Sequence, residues 1–369
     1  MRFLPLRKDK NECFLALDIG TEAVKALVFE KSFDAAQDGK KYCILSAALR
    51  YFDELRPFED DKVILNTAEE ALGRVGRRPK ELLISLPPNI LRSRVGTFEF
   101  KRREPEITIS SRKAKAIIDF SIQEAQKEIA KGFAESSGIL PKDLQFIDNE
   151  VLGIKIDGYE VPILSGYSGK KIELSILASF LPIDYIEKFS KISRRLSLNY
   201  RIVNPARSLG TLCSGDAIFV DIGGDITQVF LFKNGKLEAA DEFEIGGRGF
   251  SRLISQTLGM SFGEARFFKE RYSEGGLTED SRERVKDILT PYLEEWHSLL
   301  KAKLEAMKPV LPSTFFLFGG GSQLLGIEEQ FAEKEIKFIY PKDLKNIIDN
   351  THCVNNPQFI NSTLLFYHV

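Results

Sequence analysis

The stretch Phe14-Leu-Ala-Leu-Asp-Ile-Gly20 recurs in shortened form as Ile218-Phe-Val-Asp-Ile-Gly223. Each copy lies at the end of an apolar run, and each is followed by a threonine and a second strand-like segment. A supersecondary unit repeated about half a chain apart is typical of folds built from two similar units. The repeat therefore predicts two lobes that face one another across a cleft.

The segments around both copies have the composition of short β-meanders. The first meander is predicted to contain three strands, at Cys13 to Leu17, Val24 to Glu30 and Cys43 to Tyr51. The second covers residues 217–244, where Asn234-Gly235 is a strong hairpin signal. Helical periodicity occurs elsewhere, at 67–74, 110–129 and 184–196. The sequence thus predicts an α/β fold.

The composition of the 369 residues is that of a folded protein of two or three domains, with 43% hydrophobic and 28% charged residues. The 52 Lys+Arg and 53 Asp+Glu leave a net charge of -1, which gives no global attraction to nucleic acid or to an anionic membrane. The four cysteines and three histidines lack the spacing of zinc sites or disulfide frameworks. Because no apolar run reaches the length of a membrane span, the expectation is a cytoplasmic protein.

The first repeated turn, Asp18-Ile-Gly-Thr21, has the chemistry of a phosphate site. Gly20 allows a close approach of the backbone, Thr21 offers a hydroxyl, and Asp18 can hold Mg²⁺ through water. Lys25 follows on the next strand as a candidate phosphate ligand. Taken alone, the turn is more typical of an ordinary strand end.

The second repeated turn, Asp221-Ile-Gly-Gly-Asp-Ile-Thr227, supplies Gly223, Gly224, Asp225 and Thr227 as candidate ligands. The two carboxylates of this turn, Asp221 and Asp225, are tolerated beside an anion chiefly when a cation lies between them, so the turn favours Mg²⁺ bound with a metal-chelated polyphosphate. Because the turn is repeated, Asp18 and Asp221, one from each lobe, are the predicted Mg²⁺ residues.

Two further glycine segments follow the second turn. Gly246 and Gly247 precede a predicted helix, and an apolar strand at Thr314 to Phe318 opens into Gly319, Gly320, Gly321 and Ser322. Glycines at such a place let a flat ring or a ribose lie against the backbone, and Ser322 is a candidate helix cap or ligand contact. A second helix is expected from about Gly326.

These four segments, in this order, resemble the actin, Hsp70 and sugar-kinase superfamily of two-lobed ATP-binding proteins. Within it they are similar to the FtsA family of bacterial cell-division proteins, with the PilM family of pilus-assembly proteins as a near relative. Residues 14–29 look like the first phosphate motif, 217–247 like the second and 315–326 like the adenosine motif. Residues 152–173 are similar to the stretch that leads out of the inserted subdomain of FtsA.

The resemblance covers about residues 15–367 and implies a duplicated, ribonuclease H-like, two-lobed actin-like ATPase fold. Lobe one is expected at 1–87, an inserted strand-helix-strand-strand subdomain at 88–166, and lobe two at 167–369 with its C-terminal end returning to lobe one. The insert contains no phosphate-type turn, so it is expected to serve protein contacts.

The resemblance also implies ATP and Mg²⁺ as cofactors, weak ATPase activity at most, and self-association into filaments or oligomers. It further implies a cell-division polymer protein such as FtsZ as partner and a place at the inner membrane surface. The basic, partly apolar segment 2–10 could attach to a membrane only weakly, so recruitment by a partner is expected.

The motifs of this chain depart from those of FtsA at several positions. Ala23 stands where the first motif usually has lysine, and Lys25 fits the PilM pattern better. The ribose-contacting Ala-Glu-x-x-Lys segment is here Ala265-Arg-Phe-Phe-Lys269, so that Lys269 is retained while Arg266 replaces a carboxylate acceptor.

Three other functions therefore stay open: a PilM-like pilus or secretion assembly ATPase, a superfamily small-molecule kinase, and a scaffold without nucleotide turnover. A kinase needs a base aimed at the substrate hydroxyl, for which Asp225 is the one obvious candidate.

Overall fold

The computed structural model describes residues 11–34, 39–53, 60–307, 311–331 and 334–369. The segment 2–10 and the centre of the predicted loop at 34–41 lie outside these ranges. The strands are β1 (Glu12–Ile19), β2 (Ala23–Asp34), β3 (Gly39–Tyr51), β4 (Leu82–Ser85), β5 (Arg92–Lys101), β6 (Leu144–Ile156), β7 (Tyr159–Glu160), β8 (Lys171–Pro182), β9 (Tyr200–Ile202), β10 (Ala217–Ile222), β11 (Thr227–Lys233), β12 (Lys236–Phe243), β13 (Thr314–Phe318), β14 (Glu335–Phe338) and β15 (Ile347–Asp349). The α-helices are α1 (Asp61–Gly73), α2 (Ser111–Ser137), α3 (Ile183–Leu196), α4 (Gly247–Leu258), α5 (Phe262–Ser273), α6 (Glu279–Met307) and α7 (Ile360–Leu364).

Two sheets repeat one topology. The first has the order β15-β3-β2-β1-β4-β9, and the second has the order β12-β11-β10-β13-β14. In both, an antiparallel hairpin (β1 with β2, β10 with β11) is joined to a parallel strand (β4 or β13) on its other side. The duplicated two-lobed α/β architecture predicted from the repeated turn is therefore confirmed.

Each sheet is covered by helices on one face because its strands are almost continuously apolar. Helices α1 and α3 bury Ile64, Leu65, Phe189 and Ile192 against the first sheet. Helices α4, α5 and α6 cover the second sheet, where Trp296 of α6 is fully buried. At about 25 cal/mol per Å², burial of such large apolar side chains is the main stabilising contribution to each lobe.

The opposite faces of the two sheets are closed by the end of the chain and by the insert. Phe366 stacks on Phe29 of β2, with ring centroids 3.8 Å apart, and so packs the C-terminal segment against the first sheet. Leu177 of β8 packs with Phe219 and Phe230 of the second sheet. The insert thereby contacts the second lobe directly.

The third sheet, β5-β8-β6-β7, forms the insert together with α2. It extends past residue 166, because β8 pairs with both β5 and β6 along its length. Lobe two, expected at 167–369, therefore does not include all of that range: β8 belongs to the insert, α3 packs on the first sheet and β9 pairs with β4. These strands and this helix are placed by pairings between segments far apart in sequence, and local pattern does not encode such pairings.

Ion pairs join the insert to β12 of lobe two. Arg92 and Arg94 of β5 both contact the Glu242 carboxylate, at 2.9 and 3.1 Å. One expectation for lobe two is wrong: among the described residues, no α-helix starts at or near Gly326. That glycine has a φ of +90°, which ends the local right-handed path, and the residues directly after it form only a short 3-10 helix (Glu328–Phe331).

No helix in the described parts of the chain is both long and apolar enough to cross a membrane.

Candidate functional site

A cavity of about 330 Å³ lies between the two repeated sheets. Most of the residues selected from the sequence line it: Asp18, Gly20, Thr21, Lys25, Asp221, Gly223, Gly224, Gly247, Lys269, Gly319, Gly320 and Gly321. They come from both hairpins, from the start of α4, from α5 and from the loop after β13. The four glycine-containing segments of the sequence therefore meet at one cleft.

Asp18 lies at the end of β1, beside strands β2 and β4. Lys25 is its cross-strand partner, and the Lys25 Nζ lies 3.2 Å from the Asp18 Oδ2. Ser85, at the end of the parallel strand β4, donates a hydrogen bond of 2.7 Å to the other carboxylate oxygen. Both members of the ion pair are largely buried. The first turn thus contains a carboxylate whose charge is balanced within its own hairpin.

Asp221 occupies the equivalent place at the end of β10, with a different partner. The Nδ2 of Asn361 donates a hydrogen bond of 2.7 Å to the Asp221 Oδ2. Burial raises the pKa of Asp221 to about 6, in spite of this hydrogen bond, and the negative charge of Asp18 acts in the same direction as burial. A cation near Asp221 would therefore stabilise its charged form.

The two aspartates suit Mg²⁺ only in combination with a ligand that brings oxygens of its own. Among the described residues, no group of three or more His, Cys, Asp or Glu side chains could hold a metal. Mg²⁺ commonly takes one or two carboxylates and completes its six positions with phosphate oxygens and water. Asp18 and Asp221, which both line the cavity, fit that mode of binding.

The two turns contact one another directly, in an arrangement we call the inner bridge (Thr21, Asp225 and Arg248). The backbone N–H of Asp225 donates a hydrogen bond of 2.8 Å to the Thr21 Oγ1, and the buried Arg248 donates one of 2.8 Å to the Thr21 carbonyl. Gly224 permits this approach, because a Cβ there would lie 2.6 Å from the Thr21 Oγ1. The lobes are thus joined by hydrogen bonds between side chains of one turn region and backbone groups of the other.

Four of the selected residues do not line the cavity. Asp225 faces away from it, where its carboxylate lies 3.1 Å from Arg252 and 3.5 Å from Arg248. Thr227 is fully buried: its hydroxyl donates to the Ile245 carbonyl and accepts from the Trp296 indole N–H. The remaining two, Gly246 and Ser322, lie against the second turn and against the Gly319 carbonyl. Asp225 is thus directed away from a substrate in the cleft.

Helix α5 reaches across the cleft to lobe one. The guanidinium carbon of Arg266 lies 3.9 Å from the centre of the Tyr51 ring, and we call this pair the outer bridge. Arg266 does not line the cavity, whereas Lys269 and Glu270 do. The Lys269 Nζ donates a hydrogen bond of 2.7 Å to the Gly247 carbonyl, and burial lowers the pKa of this ammonium group.

The Gly319–Gly321 run lies against the second turn. Gly319 has a φ of +87°, and a Cβ at this position would overlap the Asp221 carboxylate and the Ile222 carbonyl. Only glycine lets the chain pass this close to Asp221. The loop therefore leaves its backbone facing the cleft.

Several cavity residues were not selected from the sequence: Glu22, Tyr51, Ser85, Gln228, Glu270, Gln323 and Asn361. Glu22 and Glu270 each adjoin a selected residue and could have been found by extending the motif by one position. No sequence pattern indicates Asn361, because it lies 140 positions from Asp221, the aspartate to which it donates a hydrogen bond.

The two similar sheets and the cleft between them define an actin-like ATPase fold. The solved PilM of a PilM–PilN type IV pilus biogenesis complex superposes with a TM-score of 0.70 at 16% identity, over 96% of this chain and 97% of that one. The ethanolamine utilization protein EutJ from Carboxydothermus hydrogenoformans gives a TM-score of 0.50 at 14% identity, over 98% and 90% of the two chains. At such identities these likenesses establish the fold.

The sequence itself points to one family within that fold. The family of the cell division protein FtsA matches residues 218–363. A curated cell division protein FtsA from Enterococcus hirae is 22% identical over 385 aligned positions, which cover 95% of this chain and 82% of the relative. The resemblance to FtsA found in the motifs is therefore confirmed, and it extends over nearly the whole chain.

Proposed function

We propose that this chain binds Mg-ATP in the interlobe cleft and uses the nucleotide to control self-association, in an FtsA-type role in bacterial cell division. The observation that supports this most is the convergence of two equivalent Asp-Ile-Gly turns, one from each lobe, on a single cavity. A polyphosphate with its metal would lie between the turns. The chain would then respond to the nucleotide by a change in the angle between its lobes.

Each side of the cavity has a role in this proposal. Lys25 would exchange Asp18 for a phosphate oxygen, and Asp18 with Asp221 would face the Mg²⁺. Mg²⁺ itself would neutralise phosphate charge. Lys269 and the Gly319–Gly321 backbone would face the nucleoside, and Glu270 would accept the ribose hydroxyls. Glu270 takes this place because it lines the cavity on the same helix as Arg266, which does not.

Thermal unfolding with different ligands tests nucleotide binding. A ligand present at 100 times its Kd adds about 2.7 kcal/mol of stability when it binds only the folded protein. We expect Mg-ATP to raise the Tm by several degrees, ATP with EDTA to raise it less, and Mg²⁺ alone to leave it unchanged. Equal shifts with ATP and with inorganic triphosphate would contradict recognition of the nucleoside.

A matched pair of variants assigns the binding to the cleft. Asp221→Ala removes a carboxylate that lines the cavity, and it should abolish the Mg²⁺-dependent part of the Tm shift. Asp241→Asn removes a carboxylate of β12 that does not line the cavity; it lies 3.1 Å from the Lys303 Nζ and accepts a hydrogen bond from the Glu242 N–H. This control should keep the full shift.

The insert is the proposed surface for self-association. Tyr159 and Ile163 expose 78% and 59% of their surface, which is unusual for apolar residues of this size. Sedimentation velocity with Mg-ATP should show assembly of the wild type and loss of assembly in Tyr159→Asp/Ile163→Asp. Leu299→Asp, on α6 of lobe two, is the control and should assemble normally.

A PilM-like role in pilus assembly is the second candidate, favoured by Lys25 and by the likeness to the solved PilM. Co-sedimentation separates the two: the division role predicts binding to FtsZ filaments, whereas the pilus role predicts binding to a PilN-type protein and none to FtsZ. For both, we place the chain in the cytoplasm and assign membrane recruitment to the partner. Tight binding to anionic liposomes that is lost on removal of residues 1–10 would contradict this.

A further inference from the structure

Three charged residues of α5 lie at the interlobe cleft at helical spacing: Arg266, Lys269 and Glu270. Arg266 lies over the ring of Tyr51, the last residue of β3, at 3.9 Å. Tyr51 lines the cavity, while the Arg266 side chain keeps 24% of its surface in solvent. The outer bridge is therefore located between the cavity and the surrounding solvent, and it connects the two lobes there.

The residues beneath the outer bridge reinforce it. Glu22 of the first turn attracts the Lys269 ammonium group across the cleft, since its negative charge raises the pKa that burial lowers. The Glu22 Oε1 is itself buried and has no hydrogen-bond partner among the described residues. Burial raises the pKa of Tyr51 to about 12, with Glu270 and Glu22 acting in the same direction. The ring is thus neutral at physiological pH, and Arg266 contacts a neutral aromatic face.

We propose that the outer bridge holds the lobes closed and thereby sets the rate at which nucleotide enters and leaves the cleft. This inference rests on the proposed nucleotide function. A cavity of about 330 Å³ is near the lower limit of ligand sites, about 300–1,000 Å³, so separation of the lobes would ease the entry and exit of a nucleotide. Separation requires the ring and the guanidinium to part.

The inner and outer bridges differ in how much of the structure must move when they separate. Each hydrogen bond of the inner bridge has a backbone group as one partner, the Asp225 N–H or the Thr21 carbonyl, so its geometry depends on the path of the turns. The outer bridge joins two side chains, which can part by rotation about their own bonds. The free energy of a cation–π contact corresponds to a factor of roughly 2 in an equilibrium constant at an exposed site and roughly 30 at a desolvated one. The outer bridge is therefore the part of the interlobe contact that a substitution can weaken without disturbing the fold.

Stopped-flow measurements with a fluorescent ATP analogue test the rate directly. In Arg266→Gln we expect kon and koff to rise together, each roughly 2- to 30-fold, with Kd changed less than twofold. Arg271→Gln is the matched control: it removes the same charge from α5, where the polar partners described for Arg271 are the local Gly276 carbonyl and Glu274. Its rates should equal those of the wild type.

Hydrogen exchange gives a second readout that needs no nucleotide. The Asp225 N–H bonds to Thr21 across the lobes, so its exchange reports separation of the lobes. Without ligand, Arg266→Gln should speed exchange of a peptide covering residues 223–227 by the same factor, and leave strand β11 unchanged. Arg271→Gln should leave both unchanged.

The outcomes separate this inference from the proposed function. If the wild type does not bind the analogue but exchange at 223–227 is faster in Arg266→Gln, the nucleotide function fails and the outer bridge stands as an interlobe contact. Unchanged exchange in Arg266→Gln overturns the bridge whether or not nucleotide binds. A rise in koff alone, with a matching rise in Kd, also overturns it, because Arg266 would then contact the nucleotide directly.

Discussion

The two hairpins end in the same Asp-Ile-Gly turn, yet their aspartates have different surroundings. Asp18 faces Lys25 on its own hairpin and accepts from Ser85. Asp221 has neutral Asn361 as its hydrogen-bond donor, and burial raises its pKa to about 6. Duplication has preserved the backbone, whereas the charge balance of the two turns has diverged. A cation brought by a ligand therefore gains more at the second turn than at the first.

Loss of the carboxylate at the first turn should have the largest effect on stability. Asp18→Asn leaves the largely buried Lys25 without its counter-charge, and removal of one partner of a buried pair costs about 3–4 kcal/mol. Urea unfolding at pH 7.5 measures the loss. The double variant Asp18→Asn/Lys25→Met should recover most of it, and failure to recover would show that Asp18 acts through Ser85 instead.

Loss of the threonine hydroxyl should cost more stability at Thr227, in the second turn, than at Thr21, in the first. Thr227→Val leaves the buried Trp296 N–H and the Ile245 carbonyl without a partner, and should cost about 2–3 kcal/mol. Thr21→Val leaves only the part-buried Asp225 N–H, so about 1 kcal/mol is expected. Urea midpoints of the two variants give the comparison, and equal losses would contradict the assignment of Thr21 to the bridge between the lobes.

Asp221→Asn should stabilise the ligand-free protein by about 2 kcal/mol at pH 7.5. The folded-state pKa of Asp221, about 6, lies above the ordinary value of 3.8, so the wild type is most stable with respect to this group below pH 4. That contribution is lost as pH rises through 6. Urea unfolding between pH 4.5 and 8 should show the advantage of the variant growing with pH, and a constant difference would contradict the raised pKa.

Loss of the Glu270 carboxylate, on the proposed adenosine side of the cavity, should have the smallest effect in free energy. Glu270→Gln is expected to weaken ATP binding by about five- to tenfold, which corresponds to the loss of one charged hydrogen-bond acceptor of about 1 kcal/mol. Arg266→Glu, which would restore the carboxylate usual in FtsA, should not strengthen binding, because position 266 does not line the cavity. Isothermal titration of both variants decides between positions 266 and 270.

The sequence contained the parts of this architecture that depend on local chemistry. The paired turns at Asp18 and Asp221, the hairpin at Asn234-Gly235 and the glycine run at 319–321 are all specified by neighbouring residues. Strand β8 was predicted to belong to lobe two rather than to the insert, because its pairing with β5 and β6 depends on tertiary packing.

In the candidate site, too, features set by neighbouring residues were predictable from the sequence, whereas features set by tertiary packing were not. Residues within the motifs were found, but the direction of a side chain was not predictable: Asp225 and Thr227 belong to the second motif and point away from the cavity. Ser85 and Asn361 were missed because each reaches the cleft from a segment without a motif.

The position of β15 has a consequence for the order in which the molecule can be completed during synthesis. The last strand of the second sheet ends at residue 338, whereas the first sheet receives its edge strand only at 347–349, and Phe366 packs on Phe29 later still. On the ribosome, which releases the chain from its N-terminus onward, the lobe that begins first is therefore finished last. Until then the hydrogen-bonding edge of β3 and one apolar face of the first sheet stay uncovered, and such edges are where unfinished chains associate wrongly.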